Sequence, residues 1–166
     1  CAGTPNGDLD LDACGVCDGD GSFCACPAGT TFFETFLSLE NICVPDGFSG
    51  VNQSTQQAFY LFEEVSIDGE SVDALDWVGA FNGDVCVGAR QWDTLGCGGG
   101  ICDVAAMGYT GNAATEGYCL PGETVTFKIF DSSGNTYMDA IPSEDYPWST
   151  MGMNIIDSLL SCSDGS

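Results

Sequence analysis

Apolar and polar residues alternate over short stretches from residue 58 onward, and turn-forming residues separate these stretches. Residues 58–67 are aromatic and β-branched, and they are followed by Asp68-Gly69, a common turn pair. Residues 124–130 alternate with a period of two, and a polar turn at 131–135 connects them to the apolar stretch 136–141. Because successive side chains of a strand point to opposite faces, this pattern predicts strands that are buried on one face.

A hairpin is predicted between residues 75–81 and 85–92, because Asn82-Gly83-Asp84 separates these two apolar stretches. Asn-Gly supplies the two positive φ angles of a type I′ turn, whose twist matches that of the paired strands. The last apolar stretch, 153–160, is predicted to be a further strand, with a short helix as the alternative.

The short strands and the lack of helical periodicity predict a mainly β protein. Residues 51–166 are expected to form an antiparallel β-sandwich of the immunoglobulin-like or jelly-roll-like kind. Residues 1–50 are rich in cysteine and aspartate and poor in core residues, so we expect a small irregular arm that disulfides and calcium hold together. Within this arm the phenylalanine-rich segment 31–39 is a candidate strand, which packs in its own chain or adds to the sheet edge of a neighbour.

The charge balance excludes several classes of function. The chain has 166 residues, with 25 acidic side chains, 2 basic ones and no histidine, and its formal net charge is −23. Nucleic-acid binding needs a basic footprint, and anionic lipids repel a polyanion, so neither a nucleic acid nor a membrane is expected as a partner. Without histidine, no Ser-His or Cys-His nucleophile can form. No apolar stretch has the length of a membrane-spanning helix.

Eleven cysteines in so short a chain predict disulfides, and therefore an oxidising environment outside the cell or at its surface. We accordingly expect a mature or excised piece of a secreted protein. The number is odd, so one thiol stays free or has its partner elsewhere, and Cys1 is the simplest choice. Cys86 with Cys119 is a candidate cross-strand pair, and the connectivity as a whole stays open. The cysteines assigned to disulfides are Cys14, Cys17, Cys24, Cys26, Cys43, Cys86, Cys97, Cys102, Cys119 and Cys162.

The segment 6–22 is a candidate calcium loop because its oxygen-bearing side chains alternate with other residues. Calcium takes six to eight oxygen ligands, and carboxylates this dense would repel one another without a cation. An EF-hand does not fit, since Ala13 stands where that loop requires glycine and Gly19 where it requires glutamate. A solvated acidic loop without metal is the alternative. The candidate ligands are Asn6, Asp8, Asp10, Asp12, Asp18 and Asp20.

Two segments resemble known secreted proteins. Residues 12–22, DACGVCDGDGS, together with Cys24 resemble the D-x-C-G-V-C-x-G-D-x-S-x-C repeat of secreted marine bacterial surface proteins, and are distantly similar to thrombospondin type 3 repeats. This resemblance implies that aspartates bind calcium and that cysteines join neighbouring loops. Residues 76–89 and 125–131 resemble an uncharacterised β-sandwich module of the same multidomain exoproteins. That family is thought to be displayed or adhesive, and it supplies no catalytic residues.

The cysteines and glycines also permit other interpretations, which the sequence favours less. Cys14-x-x-Cys17 with Cys24-x-Cys26 has the spacing of a zinc site, but such sites are mostly intracellular. A redox Cys-x-x-Cys lacks the surrounding βαβ pattern. The glycine-rich segment 96–102 lacks the Lys-Ser/Thr ending of a phosphate loop, so we interpret it as a loop closed by Cys97 and Cys102.

Enzyme and glycan-binding functions are weighed from the carboxylates and the aromatics. Acidic pairs can serve a glycosidase without histidine, although so acidic a chain forms such pairs by chance. Exposed aromatics can stack on sugars, with the loop 146–148 as the best candidate, although aromatics of a sandwich are usually core. Asn52 begins a glycosylation sequon, Asn-Gln-Ser. The acidic pairs are Glu63-Glu64, Asp73-Asp76 and Glu144-Asp145, and the aromatics are Trp77, Trp92, Tyr146 and Trp148.

Together these features predict an extracellular structural protein rather than an enzyme. We expect it to assemble head to tail with copies of itself into a filament or surface array that calcium and disulfides stabilise. In this arrangement the acidic arm docks on the next sandwich, with calcium bridging the acidic surfaces. The alternative is a carbohydrate-binding or adhesion module of a cell-surface protein, with extracellular glycans as the partner.

Overall fold

The structure, a computed structural model, describes residues 26–37 and 39–163. It divides into two compact units, Cys1–Asp46 and Gly47–Ser166, whereas the sequence places the boundary at residue 50. No helix among the described residues is long and apolar enough to cross a membrane. The strands of the described residues are β1 (Thr30–Phe36), β2 (Leu39–Pro45), β3 (Gln57–Ile67), β4 (Glu70–Ser71), β5 (Trp77–Asn82), β6 (Val85–Gln91), β7 (Cys102–Met107), β8 (Thr126–Asp131), β9 (Thr136–Pro142) and β10 (Met153–Ser161).

The described part of the first unit is a β-hairpin, so the prediction of an irregular arm is wrong for this part. β1 and β2 pair in antiparallel register, with Phe32 opposite Cys43. A disulfide joins Cys43 to Cys26, just before β1. β1 overlaps the predicted strand segment 31–39 from residue 31 to residue 36, and its strand partner is β2 of the same chain.

The second unit is a single curled sheet with a sandwich-like form, which confirms the mainly β prediction. The strand order is β4-β3-β10-β9-β8-β5-β6, and β7 pairs with β3. Residues 153–161 form a strand and not the alternative helix. The pairing departs from the antiparallel prediction in one place, because β10 runs parallel to β3, with Met153 opposite Phe59. Parallel strands cannot be joined by a tight turn, so the chain between β3 and β10, which contains the other strands of the sandwich, forms the connection.

Aromatic side chains from both halves of the sheet fill the core. On β3, the rings of Tyr60 and Phe62 lie 5.3 Å and 5.0 Å from the ring of Phe127 on β8, measured between centroids. Trp92, which follows β6, lies 6.0 Å from Phe62. All four side chains are buried, and edge-on packing of this kind is favoured by aromatic rings. Side-chain packing in the core therefore brings β3 against β8, although these two strands are not hydrogen-bonded neighbours in the sheet.

Both central strands change the face that they bury halfway along their length. β3 buries Tyr60 and Phe62, which are even-numbered, and then Val65, while β10 buries Ile156 and then Leu159. A strand of regular pleat would keep one parity, so each strand bends or twists at this level. The bend lets the same two strands take part in both halves of the curled sheet.

The curled sheet closes where its edge strands β6 and β7 lie against each other. A Cβ atom at Gly88 on β6 would lie only 1.9 Å from the carbonyl oxygen of Ala105 on β7. Nearby, the Arg90 guanidinium donates to the Asp103 carboxylate at 2.7 Å. Glycine at position 88 therefore allows an approach that any side chain would block.

The β5–β6 hairpin forms as predicted, but with a different turn. Asn82 pairs with Val85, so the two turn residues are Gly83 and Asp84. Gly83 has a φ of 62°, whereas Asn82 and Asp84 do not have positive φ. Glycine at the first turn position is typical of a type II′ turn, and the predicted type I′ turn centred on Asn-Gly is wrong.

Candidate functional site: an apolar strip beside an unpaired strand edge

Four apolar side chains lie together on the outer face of β3 and β10. Because Tyr60 and Phe62 point into the core, Phe59 and Leu61 point outward. Phe59 is opposite Met153, and Leu61 is opposite Ile155. We call Phe59, Leu61, Met153 and Ile155 the outer strip. Met153 and Ile155 are 65% and 59% exposed, although the outer face of a sandwich is normally polar.

The outer strip adjoins an incomplete strand edge. β9 pairs with β10 only at residues 159–161. Among the described residues, no strand pairs with residues 153–158 of β10 on the side away from β3. Side chains take over part of this edge, because the Ser158 amide donates to the Ser143 hydroxyl at 3.1 Å and the Asp157 amide donates to the Glu144 carboxylate at 3.2 Å. Residues 153–156 therefore present the open part of the edge.

The opposite half of the sheet has a covered outer face. The Phe48 ring lies 5.9 Å from the Phe81 ring and 5.3 Å from the Tyr137 ring, measured between centroids. A Cβ atom at Gly79 would lie 2.5 Å from this Phe48 ring, so the ring rests directly on the strand backbone. Phe48 is fully buried. This apolar outer face is packed within the chain, whereas Met153 and Ile155 of the outer strip are exposed and Phe59 and Leu61 are half-buried.

The predicted calcium ligands Asn6, Asp8, Asp10, Asp12, Asp18 and Asp20 all lie outside the described residues. Among the described residues, no cluster of three or more histidine, cysteine or acidic side chains has the arrangement of a metal site. Cys26 forms its disulfide with Cys43, so it is not available to a zinc site with Cys14, Cys17 and Cys24, which also lie outside the described residues.

Of the other cysteines among the described residues, Cys97 and Cys102 form a disulfide, and Cys86, Cys119 and Cys162 are free. The expected Cys86–Cys119 pair is not formed. The Cys86 thiol instead donates to the Gly88 carbonyl oxygen of its own strand at 3.4 Å. Burial raises the pKa of the Cys86 thiol to about 12, and burial also raises the pKa of the Cys119 thiol to about 12, with help from the nearby Glu123 carboxylate. Cys162 is free and exposed.

The tryptophans belong to the core and not to an exposed sugar platform. Trp77, Trp92 and Trp148 are each 2% exposed. The Trp148 indole also donates to the Ala106 carbonyl oxygen at 2.9 Å, which satisfies its N–H inside the protein. Trp148 as a sugar-stacking residue is therefore wrong, whereas Tyr146 in the same loop is exposed.

The acidic pairs and the glycosylation sequon differ in how far they are buried and hydrogen-bonded within the protein. Asp76 is buried and accepts hydrogen bonds from the Ser132 amide and hydroxyl, each at 2.9 Å, so it connects two loops. Glu63 and Glu64 are exposed on β3. Asn52 is exposed, but Ser54 of its sequon is buried and donates to the Gly108 carbonyl oxygen at 2.7 Å. Glycan transfer to Asn52 would therefore have to precede folding.

Comparison with known proteins gives no relative for this chain. No protein-family model matches it. No curated protein and no solved structure matches it significantly.

The free thiols are expected to differ sharply in reactivity. At pH 8 a thiol-alkylating reagent should modify Cys162 in the folded protein and leave Cys86 and Cys119 unmodified, because only a thiolate reacts and burial keeps these two thiols protonated. Peptide mass spectrometry before and after unfolding in urea measures the three sites separately. Rapid modification of Cys119 without urea would contradict the buried position.

Proposed function

We propose that this chain is an extracellular structural protein that assembles head to tail with copies of itself. The exposed outer strip beside an unpaired strand edge carries the proposal. A monomeric sandwich gains nothing from exposing Met153 and Ile155 beside the half-buried Phe59 and Leu61, and an open edge offers backbone groups to an added strand. The disulfides are compatible with the oxidising surroundings in which the proposal places the protein.

The proposed occupant of the strip is the β1–β2 hairpin of the next copy. An isolated two-stranded hairpin is marginally stable, and this one carries a phenylalanine-rich strand with Phe32 and Phe33. Docking the hairpin of one copy on the sandwich of another is a heterologous contact, because different surfaces meet. Such contacts repeat without closing and so produce filaments.

Calcium has a defined part in this proposal. Two chains of net charge −23 repel each other, and the repulsion must be reduced before short-range apolar contacts can form. Calcium bound at Asn6, Asp8, Asp10, Asp12, Asp18 and Asp20 would neutralise part of the charge of the arm. The resemblance of residues 12–22 to calcium-type repeats of secreted surface proteins supports the same assignment.

Electron microscopy of the purified chain in millimolar calcium tests the proposal. We expect filaments that dissolve after chelation and that Ile155→Lys prevents, because an ammonium group buried in an apolar contact loses its hydration. Leu95→Lys is the matched control, since Leu95 is 96% exposed, does not belong to the outer strip and undergoes the same charge change. The triple variant in which Asn replaces Asp8, Asp10 and Asp12 should form no filaments, even in millimolar calcium.

The controls separate assembly from folding. Ile155→Lys should keep the melting temperature of the wild type, since Ile155 is exposed. Monodisperse particles of the wild-type chain with and without calcium would overturn the proposal. Filaments of Ile155→Lys that match those of the wild type would overturn the role of the outer strip.

A further inference from the structure

A cavity of about 430 Å³ lies at the end of the sandwich where residues 52–56, 108–122 and 146–152 meet. Its lining includes Thr55, Gln56 and Tyr109 at the opening and the buried Trp148 and Cys119. The volume lies within the range of ordinary ligand pockets, which is about 300–1,000 Å³. The outer strip described above is not part of this lining.

The walls of the cavity are rigid because backbone hydrogen bonds connect the three loops. The Gly108 amide donates to the Gln56 carbonyl oxygen at 2.7 Å, and the Trp148 amide donates to the Glu123 carbonyl oxygen at 2.8 Å. A Cβ atom at Gly108 would lie 2.4 Å from the Trp148 ring, so glycine is what allows the indole to pack there. A pocket held in this way needs little reorganisation to bind a ligand.

The lining is uncharged in a chain that is otherwise strongly acidic. None of the lining residues is acidic or basic. The carboxylate of the neighbouring Glu123 is engaged elsewhere, because it accepts from the Leu120 amide at 2.8 Å and from the Asn82 side-chain amide at 3.0 Å. Since the pKa of the Cys119 thiol is raised by burial, the thiol is neutral as well.

Three polar groups at the opening have no partner among the described residues. They are the Thr55 hydroxyl, the Tyr109 hydroxyl and the Gln56 amide nitrogen, while the Gln56 amide oxygen accepts from Thr150 at 2.8 Å. The Tyr109 ring is 43% exposed and offers a flat apolar surface beside these groups. An aromatic face next to hydroxyl and amide groups suits a ligand with apolar C–H faces and many hydroxyls.

We propose that this end pocket, formed by Thr55, Gln56, Tyr109, Cys119 and Trp148, binds a neutral saccharide. An acidic ligand would meet the field of a chain with net charge −23, and a cation would find no carboxylate in the lining. A purely apolar ligand would leave the three polar groups without hydrogen bonds. The site is independent of head-to-tail assembly.

Binding of the whole chain to a glycan array tests this site. The array carries neutral oligosaccharides of glucose, mannose, galactose and N-acetylglucosamine, together with sialylated and sulfated glycans as the acidic arm. We expect binding to a neutral glycan and not to the acidic ones. In titration calorimetry with the best neutral oligosaccharide, Tyr109→Ala should weaken binding about ten-fold or more. Thr55→Val, which removes one hydroxyl, should weaken it about five-fold.

Tyr146→Ala is the matched control, because Tyr146 is 41% exposed and does not line the pocket. It should leave the affinity unchanged. Absence of binding to every neutral glycan would overturn the proposal, and so would a preference for acidic glycans. Binding that survives both Tyr109→Ala and Thr55→Val would assign the glycan to another surface. None of these results depends on whether the chain forms filaments.

Discussion

Replacing Trp148 by alanine should lower the free energy of unfolding by about 4 kcal/mol, since removal of a fully buried aromatic side chain typically costs about 3–5 kcal/mol. The indole is 2% exposed, lies over Gly108 and donates to the Ala106 carbonyl oxygen. Alanine would leave a cavity in place of the indole and would remove one hydrogen bond to the Ala106 carbonyl oxygen. Urea denaturation followed by circular dichroism measures the change.

Two companion variants separate the causes. Trp148→Phe keeps part of the ring and loses the N–H donor, so it should cost less than Trp148→Ala, about 1–3 kcal/mol. Tyr146→Ala changes an exposed aromatic two positions away and should cost less than about 0.5 kcal/mol. If Trp148→Ala unfolds at the same urea concentration as the wild type, Trp148 is not part of the core.

Gly88→Ala should destabilise the sandwich by about 3 kcal/mol or more, because a methyl group would collide with an atom that cannot rotate away. The obstacle is the Ala105 carbonyl oxygen, which belongs to the backbone of β7. The strands must separate to admit the methyl group, and this separation strains the Arg90–Asp103 ion pair as well. The midpoint of urea unfolding reports the loss.

Gly50→Ala is the control for glycine substitution in general. A Cβ atom at Gly50 meets nothing within 4 Å, so we expect no loss of stability there. The double variant Gly88→Ala with Ala105→Gly should be no more stable than Gly88→Ala, because the contact involves the backbone oxygen and not the Ala105 side chain. Wild-type stability of Gly88→Ala would mean that β6 and β7 do not meet this closely.

The strands with strong local patterns could be predicted from the sequence, whereas their pairing could not. β3 and β8 combine alternation with aromatic or β-branched residues, so their local sequence is sufficient to predict that they are strands. β7 was not predicted, because its sequence, CDVAAM, contains two alanines and an aspartate, which rarely form strands alone. It is a strand because β3 lies beside it. The parallel pairing of β3 with β10 joins distant residues, and no local signal specifies it.

The candidate sites show the same division. The apolar stretch 153–160 was recognised, but the sequence does not say that Met153 and Ile155 point outward, because the strand changes its buried face at mid-length. The predicted exposed aromatic site is the loop 146–148, of which Tyr146 is exposed and Trp148 is buried, and Tyr109 is not among the predicted aromatics. Trp148 is buried by residues distant from it in the sequence, because its indole packs on Gly108 and donates to the Ala106 carbonyl oxygen.

The parallel pairing of β3 with β10 also sets the order in which the sandwich can fold. The central strand β3 is synthesised early and its neighbour β10 late, with most of the sandwich between them, so the loop that must close is long. Proteins dominated by such distant contacts fold in milliseconds to seconds, and a central strand without its neighbour is open to wrong partners. During synthesis, the aromatic residues of β3 therefore stay without their β10 neighbour until the end of the chain has been made. In this interval the unpaired strand can bind other chains, which favours aggregation.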